Sequence, residues 1–190
     1  RSDQAAPLPE SLAGIVSDDL QRSGRFKTLP ETDMLSRPRS GDEVEFRDWR
    51  ALGQDAMVIG QIRPSGPGAF EVQFQLFDVL RGEPIAGYSV PTTASGVRRT
   101  AHLIADIIFE KLTGTPGAFS TRIAYITEES REDGSKRVAI KVADADGYNP
   151  QTIVSSKEPL MSPAWSPDGR RLAYVSFEKR RHAIYVQEVL

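Results

Sequence analysis

Residues 162–176 read Ser-Pro-Ala-Trp-Ser-Pro-Asp-Gly-Arg-Arg-Leu-Ala-Tyr-Val-Ser, and the centre of that stretch is a turn written in residue chemistry. Pro167 presets φ for the second turn position, Asp168 can bond local backbone, and Gly169 takes a positive φ without steric cost. Ala164 and Trp165 precede the turn and four apolar residues from Leu172 follow it, so the segment reads strand–turn–strand. Part of it occurs twice. Ile123-Ala124-Tyr125-Ile126-Thr127 matches Leu172-Ala173-Tyr174-Val175-Ser176 position for position, and Ile140-Lys141-Val142-Ala143-Asp144 matches Ile184-Tyr185-Val186-Gln187-Glu188. The two copies differ in length only in the loop between the strands, longer at 128–136. Strand pairs that recur at about 40–50 residues mark a propeller blade array.

From Phe119 onward the period is two, and strands are expected near 122–127, 137–143, 151–155, 163–166, 171–176 and 183–189. A blade takes four strands and a closed ring roughly four to eight blades. Six strands therefore make about one and a half blades, the first starting at its second strand. The chain reads as a part of a longer propeller protein, ending within a second blade.

Before Phe119 the pattern changes. Leu12, Ile15, Val16 and Leu20 form one stripe at helical spacing over 10–23, with Gly24 placed to end the helix. A short strand is expected at 26–29, and a second helix at about 44–52 with Phe46, Trp49 and Leu52 on one side. The run 57–62 is almost continuously apolar, the mark of a strand covered on both faces. Phe70, Val72, Phe74 and Leu76 alternate with polar residues as a half-buried strand, and a turn at 80–83 returns the chain through 85–90. Ser95 is placed to cap a long helix whose buried stripe is Val97, Ala101, Ile104, Ile108 and Leu112, with Gly114 as its stop. The fold class is therefore an α+β domain over 1–116, a mixed sheet with two main helices, followed by the start of an all-β propeller over 117–190.

Composition narrows the function. A net charge of −2 lacks the basic balance of a nucleic-acid binder, and the absence of cysteine removes disulfides and thiolate metal sites. No apolar run reaches the length of a spanning helix. His102 and His182 are the two histidines, with no His-x-x-x-His pairing for zinc. His102 lies beside the long helix's stripe and reads as a structural histidine. His182 ends Lys179-Arg180-Arg181 at a hairpin tip and reads as a solvated basic loop. Asp144-Ala145-Asp146-Gly147 begins like a calcium loop, but Tyr148 and Asn149 stand where an oxygen ligand and glycine are needed; the reading is a polar turn. Glu128-Glu129 and Glu132-Asp133 read as a charged loop, and Trp49 and Trp165 as packing anchors. Gly-x-Ser-x-Gly, a dinucleotide fingerprint and a phosphate loop are all missing from the sequence. No acid, base and nucleophile assemble, so the expectation is a non-enzymatic protein without cofactor or metal.

Four stretches taken together resemble a known family. They are the Ser-Pro-x-Trp-Ser-Pro-Asp-Gly repeat, Asp19-Leu20-Gln21-Arg22-Ser23-Gly24-Arg25-Phe26, Phe46-Arg47-Asp48-Trp49-Arg50-Ala51-Leu52-Gly53, and Phe109-Glu110-Lys111-Leu112-Thr113-Gly114 with Gly117-Ala118-Phe119-Ser120-Thr121. In that order they are similar to TolB, the periplasmic β-propeller family of the Gram-negative Tol–Pal envelope system. The resemblance implies a periplasmic interaction protein, monomeric at full length, that binds the lipoprotein Pal through its propeller and TolA through an extreme N-terminal segment. It further implies support of outer-membrane integrity and cell division, and use in colicin import. It places a strand and that segment before the first helix, so the expected sheet here lacks one strand. It assigns no catalytic, cofactor, metal or partner-contact residue to this chain. The alternative is the propeller portion of a prolyl-oligopeptidase-type serine peptidase, which would carry Gly-x-Ser-x-Gly in a domain outside this sequence.

Overall fold

The computed structural model describes residues 11–130, 134–178 and 181–189, and the chain divides into two compact units, Arg1–Phe119 and Ser120–Leu190. Pro116 and Gly117, read above as the boundary, lie inside the first.

In the first unit, helix α1 spans Leu12–Arg22. Ser11 opens it, its hydroxyl accepting from the Gly14 N–H at 3.2 Å, which satisfies one of the four orphan donors of a helix start. Strands β1 (Ala56–Gly66), β2 (Ala69–Asp78) and β3 (Glu83–Thr93) pair antiparallel in that order. Helix α3 runs over Val97–Thr113 and ends at Gly114 in the left-handed conformation. The period-two alternation of β2 turns Val72, Phe74 and Leu76 to one face of the sheet. There they pack with Ile15, Val16 and Leu20 of α1 and with Ala101, Ile104, Ala105 and Ile108 of α3. The other face carries a smaller cluster, in which Met57, Ile59, Phe77 and Val79 meet Val44 and Trp49; Trp49 lies on the short helix α2, Phe46–Ala51.

Four expectations need correction here. Residues 26–29 form no strand: Phe26 turns inward against Phe109, ring centroids 5.8 Å apart and edge-on, and Pro30 cannot donate to a ladder. The helix expected from Val44 begins at Phe46, after a separate 3-10 turn over Gly41–Glu43. The run 57–62 is buried on one face only; Met57 and Ile59 are covered, whereas Val58 and Ile62 are exposed, because among the described residues β1 is an edge strand and its second face is incompletely packed. The hydroxyl bond at the start of the long helix comes from Thr93, not Ser95: Thr93 accepts from Gly96 N in a 3-10 turn that leads into α3.

The second unit is two antiparallel three-stranded sheets. One is β4 (Arg122–Ser130), β5 (Lys136–Asp144) and β6 (Gln151–Ser156); the other is β7 (Leu160–Trp165), β8 (Arg171–Ser176) and β9 (Ala183–Glu188). Strand β7 starts earlier than the 163–166 expected. The sequence repeat is a repeat of register. Ala124 faces Val142 as Ala173 faces Val186, Tyr125 faces Lys141 as Tyr174 faces Tyr185, and Ile126 faces Ile140 as Val175 faces Ile184. The shared core takes Val138, Ile140 and Val142 from the first sheet and Leu160, Leu172 and Tyr174 from the second.

Candidate functional site

The turn that decided the fold is closed by its own side chains. Gly169 N donates to Ser166 O at 2.9 Å and Ser166 N to Arg171 O at 2.9 Å. Asp168 Oδ1 takes the Ser166 hydroxyl at 2.5 Å and the Arg170 N–H at 3.0 Å, while Ser166 Oγ accepts from Arg171 N at 2.9 Å. These bonds, the Ser166 hydroxyl first and the Arg170 N–H second, hold the Asp168 carboxyl below its ordinary value. Gly169 sits at φ +67°, the conformation its lack of a side chain permits. The carbonyl of Gly169 accepts from Arg122 Nη2 at 2.8 Å, and the Arg122 guanidinium lies 4.9 Å from the centre of the Trp165 ring. Trp165 is thus a packing anchor with a cation on its face. Arg122 opens β4 of one sheet and Trp165 ends β7 of the next, so this pair ties the two blades together.

The aspartate pair after β5 is also a closed turn. Gly147 N donates to Asp144 O at 2.8 Å, Asp144 N to Tyr148 O at 3.1 Å, and Tyr148 N to Asp146 Oδ1 at 2.9 Å. One Asp146 oxygen is therefore engaged with backbone, as in an ordinary Asx turn. His182 packs beside Phe177, ring centroids 6.1 Å apart, in the loop before β9. Lys179 and Arg180 of the basic tip, and Glu132 and Asp133 of the acidic loop, lie outside the described residues.

His102 is buried, and its Nδ1 stands 2.5 Å from Asp19 Oδ2. The other oxygen of Asp19 pairs with Arg22 one turn along α1. A fully buried carboxylate needs such partners, and this one holds α1 to α3. His102 is packed against α1, as its place beside the stripe suggested; Asp19 was missed, because its partner lies 83 positions away.

A feature the sequence reading did not single out is a cleft of about 830 Å³ on the half of the β1–β3 sheet that α2 leaves uncovered. Gln61, Gln73, Gln75 and Ser89 form its floor, with Phe46 and Phe77 at one end. Gln61 and Gln73 are direct cross-strand partners, as are Gln73 and Ser89. Gln61 Nε2 donates to Arg39 O at 2.7 Å and holds the wall in place. The signal was present as Gln-x-Gln alternation in β2. The floor of the cleft offers donor and acceptor amides, and Arg39 and Asp42 also line it.

Apolar side chains stand exposed on the second blade, Ile184 and Val186 of β9 and Met161 of β7. Their register puts Val175 and Ala173 on the same face. Such a face is what a blade presents to its neighbour in a propeller.

Comparison with known proteins accounts for both units. Residues 1–85 match the family model of the TolB amino-terminal domain, and residues 109–190 that of the TolB beta propeller domain. The chain is 50% identical over 181 residues to the Tol-Pal system protein TolB of Nitrosococcus oceani, covering 95% of this chain and 42% of that protein. It is 55% identical over 180 residues to the protein of the same name from Methylococcus capsulatus, again 95% of this chain and 42% of the other. The crystal structure of TolB from Acinetobacter baumannii matches with a TM-score of 0.85 at 39% identity, over 96% of this chain and 45% of that one. The chain thus spans less than half the length of these relatives. In sequence order, blade register and fold, the chain belongs to the TolB family, carrying the amino-terminal domain and the opening strands of the propeller.

Proposed function

We propose that this chain is part of a non-enzymatic interaction component of the Tol–Pal cell-envelope system, working in the periplasm. In this reading residues 1–116 form the amino-terminal domain and 117–190 begin the propeller. The observation that carries it is the series match: two TolB family models in order along one chain, with relatives named as Tol-Pal system proteins at 50% and 55% identity. A propeller presents strand ends and loops on a broad face, a surface suited to holding a partner domain, and the lipoprotein Pal is the partner proposed for it. TolA is proposed to engage a segment preceding α1, and colicins to compete for the same partner surfaces. Support of outer-membrane integrity and cell division follows from those contacts. The peptidase alternative has no observation in its favour, since the α/β half matches the TolB amino-terminal domain.

The test is calorimetric titration of the protein, extended to the length of its relatives, with the soluble domain of Pal from the same bacterium. Saturable binding that a propeller-only version retains supports the reading. Absence of binding, together with hydrolysis of a prolyl peptide substrate, would move the chain to the peptidase class.

A further inference from the structure

The wall of the cleft on the β1–β3 sheet is tied down by bonds of its own. Gln61 is engaged at both ends: its Nε2 donates to Arg39 O at 2.7 Å, and its Oε1 accepts from Arg63 Nη2 at 3.0 Å. Arg39 N donates in turn to Glu43 Oε2 at 2.8 Å. Gly41 of the same wall lies so near Phe77 that a Cβ on it would stand 3.1 Å from the ring. The wall is therefore set without a ligand, and the volume of about 830 Å³ is that of a small-molecule site.

Two features of the floor are not used by the fold. The first is Gln75, on the middle strand. It is exposed, and among the described residues its amide makes no hydrogen bond. The second is Gly87, which faces Gln75 in register, the irregularity of that strand pair falling at Ile85. Gly87 has a negative φ, and a Cβ on it would meet nothing closer than Gln75 Cγ at 3.6 Å, an ordinary contact. Glycine inside a strand costs stability. One that neither the backbone nor the packing requires marks a place where another molecule approaches closely. Beside this bare spot Gln73 Nε2 and the Ser89 hydroxyl both donate to Glu71, which leaves Gln73 Oε1 and Ser89 Oγ as acceptors. The half-buried Phe46 ring, 5.8 Å from that of Phe77, closes one end, and the lining adds one cation, Arg39, and one anion, Asp42.

We propose that this cleft is a saccharide-binding site. Neighbouring hydroxyls on a sugar ring present one donor and one acceptor side by side, which the carbonyl and amino ends of the Gln75 carboxamide satisfy together. The apolar C–H face of the same ring has the Phe46 ring to rest on. The sugar sits against Gly87, where any side chain would displace it. Arg39 and Asp42 offset each other in charge, so the cleft selects for hydroxyls rather than for an ion.

A printed array of neutral and acidic glycans, probed with the intact chain, tests this, followed by calorimetric titration with the glycan retained best. A neutral glycan is expected to be retained. Gln75→Ala should weaken its binding about tenfold with the melting temperature unchanged. Gly87→Val should abolish binding yet melt at or above the unaltered chain, because valine suits a strand better than glycine. A chain that retains no glycan, or acidic ones only, overturns the proposal. So does binding that survives Gly87→Val. A Gly87→Val chain that melts lower overturns it as well, since the glycine would then serve the fold.

Discussion

Two copies of one pattern meet opposite fates in this molecule. Ile140 is fully buried, and its repeat counterpart Ile184 is 76% exposed. Val142 is buried, and its counterpart Val186 is 62% exposed. On the opposite faces the order reverses, for Leu172 is fully buried while Ile123 is 41% exposed. The backbone pairing of the two hairpins is the same, so neither strand propensity nor register explains the contrast. What differs is the neighbour. The Val142 face of the first blade and the Leu172 face of the second close on each other and make the core. On the outer faces Ile123, Ile184 and Val186 stand exposed, and only the small Ala139 and Ala143 of β5 are buried there among the residues of that strand. Burial in a blade array thus belongs to the stack rather than to the blade, as expected when each repeat cannot bury its own hydrophobic surface.

The contrast breaks most easily at those pairs. Ile140→Ala and Leu172→Ala each empty a filled site and should cost about 2–5 kcal/mol in the 190-residue chain. Ile184→Ala and Ile123→Ala, starting from exposed positions, should cost well under half of that, since little area returns to water. The sequence supplies the reporter: Trp165 lies in the propeller unit and Trp49 in the other, so urea unfolding followed by fluorescence in a Trp49→Phe background reads the propeller alone. Equal losses for Ile140 and Ile184 would mean that the outer face is covered in solution and the contrast is wrong.

Charge sharpens the same comparison. Val186→Lys should leave the folded propeller unit intact and raise its solubility, because it interrupts an exposed apolar patch. Val142→Lys should abolish folding of that unit, since a lone buried ammonium has nothing to pair with. Circular dichroism of the two variants separates these outcomes at once.

The sequence carried the blade strands, short of the start of β7, and the turn before β8, because these are written locally in alternation, in the repeat and in Ser-Pro-Asp-Gly chemistry. It could not say which face of each blade is buried, since Ile140 and Ile184 sit in equivalent patterns and only the partner sheet distinguishes them. The Asp19–His102 pair was hidden for a related reason: a carboxylate on an apolar helical stripe looks like a fault in the stripe until its partner on α3 is seen. Residues 26–29 looked like a strand because Phe26 and Leu29 are apolar, but tertiary packing of Phe26 on Phe109 overrode that preference. The cleft over Gln61, Gln73 and Gln75 was half legible. Its floor follows from period two, whereas its wall depends on where the irregular segment at Arg39 happens to tie down.

A smaller effect is expected at the seam between the blades. Arg122→Lys keeps the charge but loses the planar group that lies on Trp165 and the forked donors that reach Gly169 O. An exposed contact of this kind contributes about 0.5–1 kcal/mol, so urea unfolding of the propeller unit should show a loss of that size. A Trp165 emission maximum unchanged by the substitution would show that the guanidinium does not rest on the ring in solution.

The smallest effect belongs to Asp168, which is exposed and acts within its own turn. Its carboxyl is held below the ordinary value of 3.8, chiefly by the Ser166 hydroxyl and then by the Arg170 N–H. A carboxyl whose folded pKa lies below its unfolded pKa stabilises the fold above the unfolded value, and that contribution disappears as pH falls through the folded one. The window therefore lies below pH 3.8, on the acid flank of the stability curve. Asp168→Asn removes the titration while keeping an oxygen for Ser166 and Arg170. Its propeller unit should melt slightly earlier than the unaltered chain near neutral pH, and the two curves should converge under acid. The segment that precedes Ile123 in the first blade, Gly117-Ala118-Phe119-Ser120-Thr121, carries no aspartate, so the acid-sensitive turn singles out the second blade. If the two proteins stay separated by a constant amount down to the acid transition, the Asp168 carboxylate contributes nothing beyond the shape of its side chain.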